Sequence, residues 1–518
     1  MFQFIDSLYT MNTNKNLLHI GSLIRNLRRE REMTQRDLAL KMGTTQSAVA
    51  RIENGEQNLS TEMLSKISEV LNSDIVTVSA GALNIQVEGG KKLKGVITTK
   101  TSKNAAVALM AASLLNENTT TLKNVPKIEE VFRLVEVLES LGVGVKWSGL
   151  DLIITPPRAP KMIRLEGLNA EAAVKTRSII MFIGPLMHLF KKFLLPEPGG
   201  CKLGSRTVRP HFFALEEFGI SIKIKDFDYE ISHNGLKPAE IVLYESGDTV
   251  TENTLMAAAK IPGETIIKYA SANYQVQDLC FFLERLGVKI EGIGTTTLRV
   301  RGVEKIDMPV SYYLSEDPIE TMLFLTAAIV TKSSIKIERC PIDFLELELL
   351  KLKKMGFKYE ISPRYKALNG KTDLVDITTH PSKLVALEDK IHPLPYPGLN
   401  PDNLPFFTVI ATQAEGQTLI HDWMYEKRTI YYKDLDKLGA DTVLVDQHRL
   451  YITGPTKLQA AEVVCPPALR PGAVVLMGML AANGVSTLRN IYSINRGYED
   501  IIKRLNGLGA KITLLREF

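Results

Sequence analysis

The chain has 518 residues, 45% of them hydrophobic, and a formal net charge of +5 at pH 7. This length and apolar content suffice for roughly three or four domains with buried cores, and the small net charge argues against bulk attraction to nucleic acids or membranes. Four widely spaced cysteines without a CxxC pair argue against a zinc ribbon and a disulfide framework. The eight histidines show no HxxxH spacing, so the sequence predicts no metal site.

The first segment, residues 1–16, has neither a basic n-region nor a long apolar run, and no later stretch gives 18 uninterrupted apolar residues. The sequence therefore predicts no export signal and no membrane span. Together with the cysteine usage, which suits a reducing compartment, this favours a cytoplasmic protein.

Residues 17–75 are predicted to form a compact helical bundle. Thr34 is typical of the N-cap of a second helix, and Gly43 interrupts the chain before a third. The third helix, within residues 44–55, has small and polar residues on an exposed first turn, whereas Val49 and Ile52 face inward. A recognition helix needs this arrangement because its first turn must reach the base edges of DNA.

This segment resembles the helix-turn-helix domain of the phage-repressor-like Cro/C1 (XRE) family. The resemblance rests on Thr34-Gln35, Leu38-Ala39, Ser47 and the closing run Arg51–Gly55. It implies that the domain binds duplex DNA, with phosphate contacts by Arg25 and Gln35. The residues that would approach bases are Gln46, Ser47 and Arg51. The alternative is a docking or dimerisation module without a DNA role, because acidic residues such as Glu53 nearly cancel the basic ones.

From about residue 82, strands and helices alternate, and a helix repeatedly ends in an apolar residue and a glycine before the next strand. The glycine is typical of a left-handed helix C-cap. Successive copies lie 68 to 83 residues apart, which predicts six related α/β units that most simply form two lobes with a cleft between them. The junctions are Leu141-Gly142, Phe218-Gly219, Leu286-Gly287, Met355-Gly356, Leu438-Gly439 and Leu508-Gly509.

The loop Pro198–Arg206 places Cys201 among three glycines, with Arg206 five residues further on. Glycines let the backbone approach a ligand closely, and a nearby cation favours the thiolate form of a cysteine. The loop therefore predicts a thiol that is presented to an anionic ligand. On its own it is equally compatible with a surface turn that holds a small buried cysteine.

Taken with this loop, the six units resemble the UDP-N-acetylglucosamine 1-carboxyvinyltransferase family of enolpyruvyl transferases over residues 82–518. The resemblance rests on Ser102–Ala106, Asn124–Pro126, Arg177 with Gly184–Leu186, Pro198–Arg206, Asp317–Thr321, Asp402, Arg428, Leu469-Arg470 and Arg496–Glu499. It implies an α/β fold, a two-lobed inside-out barrel of six repeated units, preceded by the all-α helix-turn-helix domain. Lobe one would span about residues 103–316, and lobe two about residues 82–102 plus 317–518.

The resemblance also implies a reaction in which enolpyruvyl passes from phosphoenolpyruvate to the 3-hydroxyl of UDP-N-acetylglucosamine, without a metal or organic cofactor. Cys201 would act as general acid, Asp402 would accept the hydroxyl proton, and Asn104 would orient the sugar. Lys103 and Arg496 would both bind substrate and take part in catalysis. The cations implied to converge on the carboxylate and phosphate are Lys103, Arg177, Arg206, Arg428, Arg470 and Arg496.

One departure from the family pattern concerns the acceptor. The family usually follows its loop arginine with Pro-Val-Asp, whose acidic residue lies near the uracil ring, whereas this chain has Arg209 at that position. Two further interpretations therefore stay open beside the expected reaction. One is an enolpyruvyl transferase with a different acceptor, and the other is a DNA-binding regulator that senses its ligand with a transferase-like domain. Since helix-turn-helix domains usually bind paired half-sites, either would also be compatible with an oligomer.

Overall fold

The computed structural model describes residues 21–22, 24–29, 31, 33–54, 56, 63, 67, 70–71, 83–157, 177–197, 207–225 and 228–515. The chain divides into two compact units, residues 1–81 and residues 82–518. The first holds short helices, and the second holds alternating strands and helices.

The first unit contains the helices α1 (Gln35–Met42) and α2 (Gln46–Glu53), and residues 24–29 are also helical. Thr34 caps α1 through a reciprocal capping box, and Gly43 ends it in the left-handed conformation. Val49 and Ile52 are buried in a small apolar core. The predicted cap, helix end and inward-facing residues are therefore confirmed.

Three sheets form the first half of the second unit. One has the order β13 (Val310–Tyr313), β3 (Thr120–Lys123), β5 (Asp151–Thr155) and β4 (Gly144–Ser148). The next has the order β6 (Lys192–Pro196), β8 (Asp228–His233) and β7 (Ile220–Lys225). The third has the order β11 (Lys289–Glu291), β12 (Thr297–Gly302), β10 (Gly263–Lys268) and β9 (Glu240–Val242).

Three further sheets form the second half. One has the order β15 (Lys358–Ile361), β17 (Asp373–His380), β14 (Ser334–Pro341) and β2 (Lys94–Thr98), with β16 (Tyr365–Lys366) also paired to β17. The next has the order β18 (Leu384–Val385), β19 (Ala414–His421), β21 (Arg449–Gly454) and β20 (Asp441–Leu444). The last has the order β22 (Glu462–Val464), β23 (Val485–Arg489), β1 (Asn84–Glu88) and β24 (Lys511–Leu515).

The longer helices lie inside these sheets. Two of them, Pro318–Val330 and Leu469–Ala481, are buried on nearly all sides, which is why their sequences are apolar all round rather than on one stripe. The helices are α3 (Lys103–Ala112), α4 (Glu129–Ser140), α5 (Ile183–Leu186), α6 (Arg209–Glu216), α7 (Asp248–Ala259), α8 (Tyr274–Arg285), α9 (Pro318–Val330), α10 (Glu346–Lys354), α11 (Leu404–Ala411), α12 (Leu469–Ala481), α13 (Tyr492–Asn495) and α14 (Ile501–Gly507). Short 3₁₀ helices span Ser113–Leu115, Arg177–Phe182, Ile342–Phe344 and Thr429–Leu438.

The six predicted junctions have the backbone that their glycines require. Gly142, Gly219, Gly287, Gly356, Gly439 and Gly509 all have φ between 80° and 96°. A residue with a Cβ is strained at such angles, so glycine ends each helix and lets the chain turn into the following strand. The repeat pattern in the sequence therefore marked real structural junctions.

Two separate apolar cores define two lobes. The core of lobe one runs from Ala106 to Leu314. The core of lobe two joins residues from Ile85 to Leu93 with residues from Ile319 to Ile512, and it includes Tyr274. The predicted architecture of six α/β units in two lobes with internal helices is confirmed, and the lobe boundaries drawn from the sequence stay a prediction.

Two further features bear on function. No helix among the described residues is both long and apolar enough to cross a membrane. Within those same residues, no group of three or more histidine, cysteine or acidic side chains is arranged to hold a metal ion.

Candidate active site

A cleft of about 1050 Å³ is lined by residues of both lobes. It brings together seven residues that the sequence predicted for the site. Those from lobe one are Lys103, Asn104 and Arg177, and those from lobe two are Asp402, Arg428, Arg470 and Arg496. The cleft therefore concentrates cations from two separately folded halves of the chain.

The first turn of α3 presents Lys103 and Asn104 to the cleft. Ser102 caps this helix, and its hydroxyl accepts hydrogen bonds from the backbone N–H groups of Asn104 and Ala105 at 3.1 and 3.2 Å. The Asn104 side chain donates to the buried hydroxyl of Tyr274 at 3.2 Å. A helix N-terminus carries partial positive charge, so this turn adds to the cationic character of the cleft.

Asp402 and Arg470 form the central ion pair of lobe two. Arg470 Nη2 lies 3.1 Å from Asp402 Oδ2, and Arg470 Nη1 donates to the Tyr498 hydroxyl at 2.6 Å. Burial alone would raise the pKa of Asp402, but the charges of Arg470 and then Arg428 outweigh it and hold that pKa below its usual range. Asp402 is therefore a carboxylate at neutral pH and can accept a proton.

Arg428 lines the same cleft but is only 1% exposed. Its Nε and Nη2 atoms donate to the two oxygens of Asp422 at 2.5 and 3.0 Å, and Nη2 also donates to the Pro401 carbonyl at 2.8 Å. Tyr432 donates to the same carboxylate at 2.9 Å. Arg428 is thus held by a buried bidentate pair, which fixes the wall of the cleft next to Asp402.

Glu130 is a cleft residue that the sequence did not single out. It is 6% exposed and accepts a hydrogen bond from Ser178 Oγ at 2.6 Å. Its Oε2 lies 3.9 Å from Lys103 Nζ and 3.6 Å from Arg496 Nε. Because Arg496 belongs to lobe two, this carboxylate links two cations across the cleft at the point where an anionic ligand would meet them.

Arg177 lies near a buried histidine on the lobe-one side. It donates to the Thr207 carbonyl at 3.0 Å. Burial and the charge of Arg177 lower the pKa of His211 to about 3. His211 is therefore neutral, and its ring contacts the side chains of Asn253 and Thr249 at 3.2 and 3.3 Å.

Two residues implied for the site, Cys201 and Arg206, lie outside the described residues. The three described cysteines, Cys280, Cys340 and Cys465, are all buried. Burial raises the pKa of Cys340 to about 12 and that of Cys465 to about 11, and it raises the pKa of Cys280 as well. None of these three is a thiolate at neutral pH, so none is a reactive alternative to Cys201.

The helix-turn-helix residues fall into two groups. Gln46, Ser47 and Arg51 are exposed on α2. Arg25 and Gln35 instead contact Glu53, through its carbonyl at 3.1 Å and its carboxylate at 2.9 Å respectively.

Glu53 itself is 2% exposed and pairs with Arg28 at 2.6 Å. It belongs to the interior of the domain, where its charge offsets that of Arg28.

The sequence did not reveal three buried residues that contact the site residues. Tyr274, Asp422 and Glu130 contact site residues that are distant in sequence or separated by a turn. Glu130 is in the first turn of α4, where acidic residues are common for helix stability alone. Tyr498 could have been identified from the sequence, since it lies within Arg496–Glu499, one of the segments that carry the family resemblance.

Comparison with known families identifies both units. A family model described as EPSP synthase (3-phosphoshikimate 1-carboxyvinyltransferase) matches residues 87–505. A helix-turn-helix family model matches residues 24–78. The second match overlaps the segment predicted to hold that domain.

Individual relatives give a consistent result. The UDP-N-acetylglucosamine 1-carboxyvinyltransferases of Treponema denticola and Bradyrhizobium diazoefficiens are each 35% identical over 83% of this chain and 98% of their own length. The enolpyruvyl transferase NikO from Streptomyces tendae has the same fold, with a TM-score of 0.73 at 23% identity over 84% of this chain and 99% of its own.

Proposed function

The chain belongs to the enolpyruvyl transferase family, and from that premise we propose that it transfers enolpyruvyl from phosphoenolpyruvate to the 3-hydroxyl of UDP-N-acetylglucosamine. The observation that carries this proposal is the ionised Asp402 beside Arg470, with Lys103 and Arg496 at the same cleft. Similarity to the two 35% identical transferases supports the choice of acceptor. We place the reaction in the cytoplasm.

Binding of phosphoenolpyruvate requires cations for its carboxylate and its phosphate. Lys103 and Arg496 approach Glu130 from different lobes, so an anion that replaces this contact would hold both lobes together. Arg177 and Arg470 supply further donors, and Arg206 would join them from its loop. The rigid fork of arginine suits the planar carboxylate and the tetrahedral phosphate.

The chemical step then needs one base and one acid. Asp402 takes the proton of the acceptor hydroxyl while the hydroxyl oxygen attacks C2 of phosphoenolpyruvate, and Cys201 protonates C3. The tetrahedral adduct loses phosphate as C3 returns a proton to the Cys201 thiolate, which restores the double bond, and the proton held by Asp402 passes to the departing phosphate. The products are an enol ether on the acceptor oxygen and inorganic phosphate, so atoms and charges balance.

We further propose that the helix-turn-helix domain binds duplex DNA. The exposed first turn of α2 supports this, because Gln46 and Ser47 are free to face a groove. A selection from random duplexes with the full chain tests it, and no enrichment of any sequence would favour the docking role.

The transferase proposal is tested by measuring phosphate release while each substrate is omitted in turn. We expect release only with phosphoenolpyruvate and UDP-N-acetylglucosamine together, and strongly reduced release with Asp402→Asn. No release from a folded sample would favour the ligand-sensing regulator. Release with phosphoenolpyruvate and a different sugar nucleotide, but not with UDP-N-acetylglucosamine, would assign another acceptor. Such a result would agree with Arg209, which stands where the family has an acidic residue.

A further inference from the structure

An aromatic cluster lies at the lobe-one end of the cleft, outside the reacting centre. Strand β9 pairs in parallel with β10, and Val242 lies opposite Lys268. Tyr244 and Tyr269 follow the ends of these strands, and both line the cleft. Neighbouring strands are about 4.8 Å apart, and ligands commonly bind beyond the carboxyl ends of parallel strands. The topology therefore brings the two rings to one edge of one sheet.

These rings are unusually accessible for large aromatic side chains. Tyr244 is 75% exposed and Tyr269 is 53% exposed. The ring of Phe213, on α6, lies 5.6 Å from that of Tyr244 with the planes at 58°, and it too is 43% exposed. Exposed aromatic rings at two adjoining strand ends and on the neighbouring helix leave apolar faces in water, which a planar ligand could cover.

The backbone at Tyr269 fixes the point at which this residue leaves the end of β10. Its φ is 60°, the left-handed region that is costly for a bulky residue with a Cβ. The following residue is fixed on both sides, because Ala270 N–H donates to the Thr296 carbonyl at 3.0 Å and Ser246 Oγ donates to the Ala270 carbonyl at 3.3 Å. The same left-handed turn directly follows β3 at Asn124 and β23 at Asn490, both with φ of 56°, so it is a feature of the repeated unit that holds Tyr269 in place.

We propose that Tyr244 and Tyr269 form a stacking site for the base of the acceptor nucleotide. The inference rests on the proposed function for the identity of the acceptor. Glu245 and Asp248 line the same end of the cleft, so an uncharged planar base suits it better than a phosphate. Stacking accepts any base with an aromatic face, and it would supply base affinity in a chain that has Arg209 where the family has an acidic residue.

Calorimetric titration of the full chain with UDP tests this site without requiring turnover. Tyr244→Leu and Tyr269→Gly should each raise the Kd for UDP about tenfold, as expected for one lost stacking partner. The glycine variant also relieves the strain at position 269, so the protein should unfold at the same temperature or higher. Tyr244→Phe keeps the ring and should keep the Kd within about twofold of the original.

Two comparisons make the result specific. N-acetylglucosamine 1-phosphate has no base, so its Kd should be equal in the original protein and both ring-loss variants. Phe132→Leu removes a 41% exposed ring of lobe one that packs on Trp147, and it should leave the Kd for UDP unchanged.

Failure of the stacking site and failure of the transferase proposal give different results. A Kd for UDP that is unchanged in both ring-loss variants, or absent UDP binding in the original protein, would overturn the stacking site. A Tyr244→Phe variant as weak as Tyr244→Leu would replace stacking with a hydroxyl contact and overturn it as well. Ring-dependent UDP binding without turnover of UDP-N-acetylglucosamine would support the site and reject the proposed reaction.

Discussion

The buried pair between Arg428 and Asp422 allows a stability prediction of defined size. The guanidinium is 1% exposed and the carboxylate 0%, and two hydrogen bonds of 2.5 and 3.0 Å join them. Asp422→Ala leaves the guanidinium buried without its counterion and removes the acceptor of the Tyr432 hydroxyl. Breaking a buried pair in this way costs about 3 to 5 kcal/mol of unfolding free energy.

Tryptophan fluorescence can report this loss lobe by lobe. The chain has two tryptophans, Trp147 in lobe one and Trp423 directly after Asp422. In a Trp147→Phe background, urea unfolding followed by the remaining fluorescence monitors lobe two, and Asp422→Ala should move the midpoint to lower urea. A loss below about 1 kcal/mol would refute the view that this pair holds the wall of the cleft.

A double variant separates the structural role of Arg428 from substrate binding. Asp422→Leu with Arg428→Met replaces the pair by apolar side chains of similar size, and it should recover most of the lost stability. If Arg428 also binds substrate, the recovered protein should still have a raised KM for phosphoenolpyruvate. A double variant as unstable as Asp422→Ala would contradict the argument from charge burial.

Four further predictions concern individual groups. Glu130→Gln should lower the KM for phosphoenolpyruvate about fivefold, because the substrate no longer competes with a carboxylate for Lys103 and Arg496. The KM for the acceptor should not change. Steady-state kinetics measures both values, and a higher KM for phosphoenolpyruvate would contradict the prediction. Because the pKa of Asp402 is lowered, kcat/KM should fall only at pH values below the usual pKa range of aspartate. Arg470→Gln should move this acid limb of the pH profile to higher pH, and an unmoved limb would exclude Asp402 as the base. Cys201→Ser should reduce turnover about 100-fold or more. Since the described cysteines are buried, iodoacetamide should label the original protein first at Cys201, which peptide mapping would reveal. Gln46→Ala should reduce the preference for a selected DNA site by about 1 to 3 kcal/mol in binding titrations, and an equal loss for all sequences would show a phosphate contact instead.

Local features of the fold were predictable from the sequence. The six glycines at helix ends stand at φ values that only glycine tolerates easily, so their spacing revealed the repeated units directly. The cap of α1 was equally local, because Thr34 bonds to a backbone group three residues away.

Contacts between distant residues were not predictable in this way. Arg496 and Glu130 are separated by more than 300 residues and meet only because the two lobes line one cleft. The pair between Glu53 and Arg28 inside the helix-turn-helix domain is a second contact that nothing near either residue in sequence indicates.

The proposed reaction is tested most directly by the fate of the bridging oxygen of phosphoenolpyruvate. The protein is incubated with UDP-N-acetylglucosamine and phosphoenolpyruvate that carries ¹⁸O between carbon and phosphorus, and the products are analysed by NMR and mass spectrometry. Enolpyruvyl transfer predicts that the label leaves with inorganic phosphate and that the sugar gains an enol ether at its 3-hydroxyl. Label retained on carbon, or an unmodified sugar nucleotide, would contradict it.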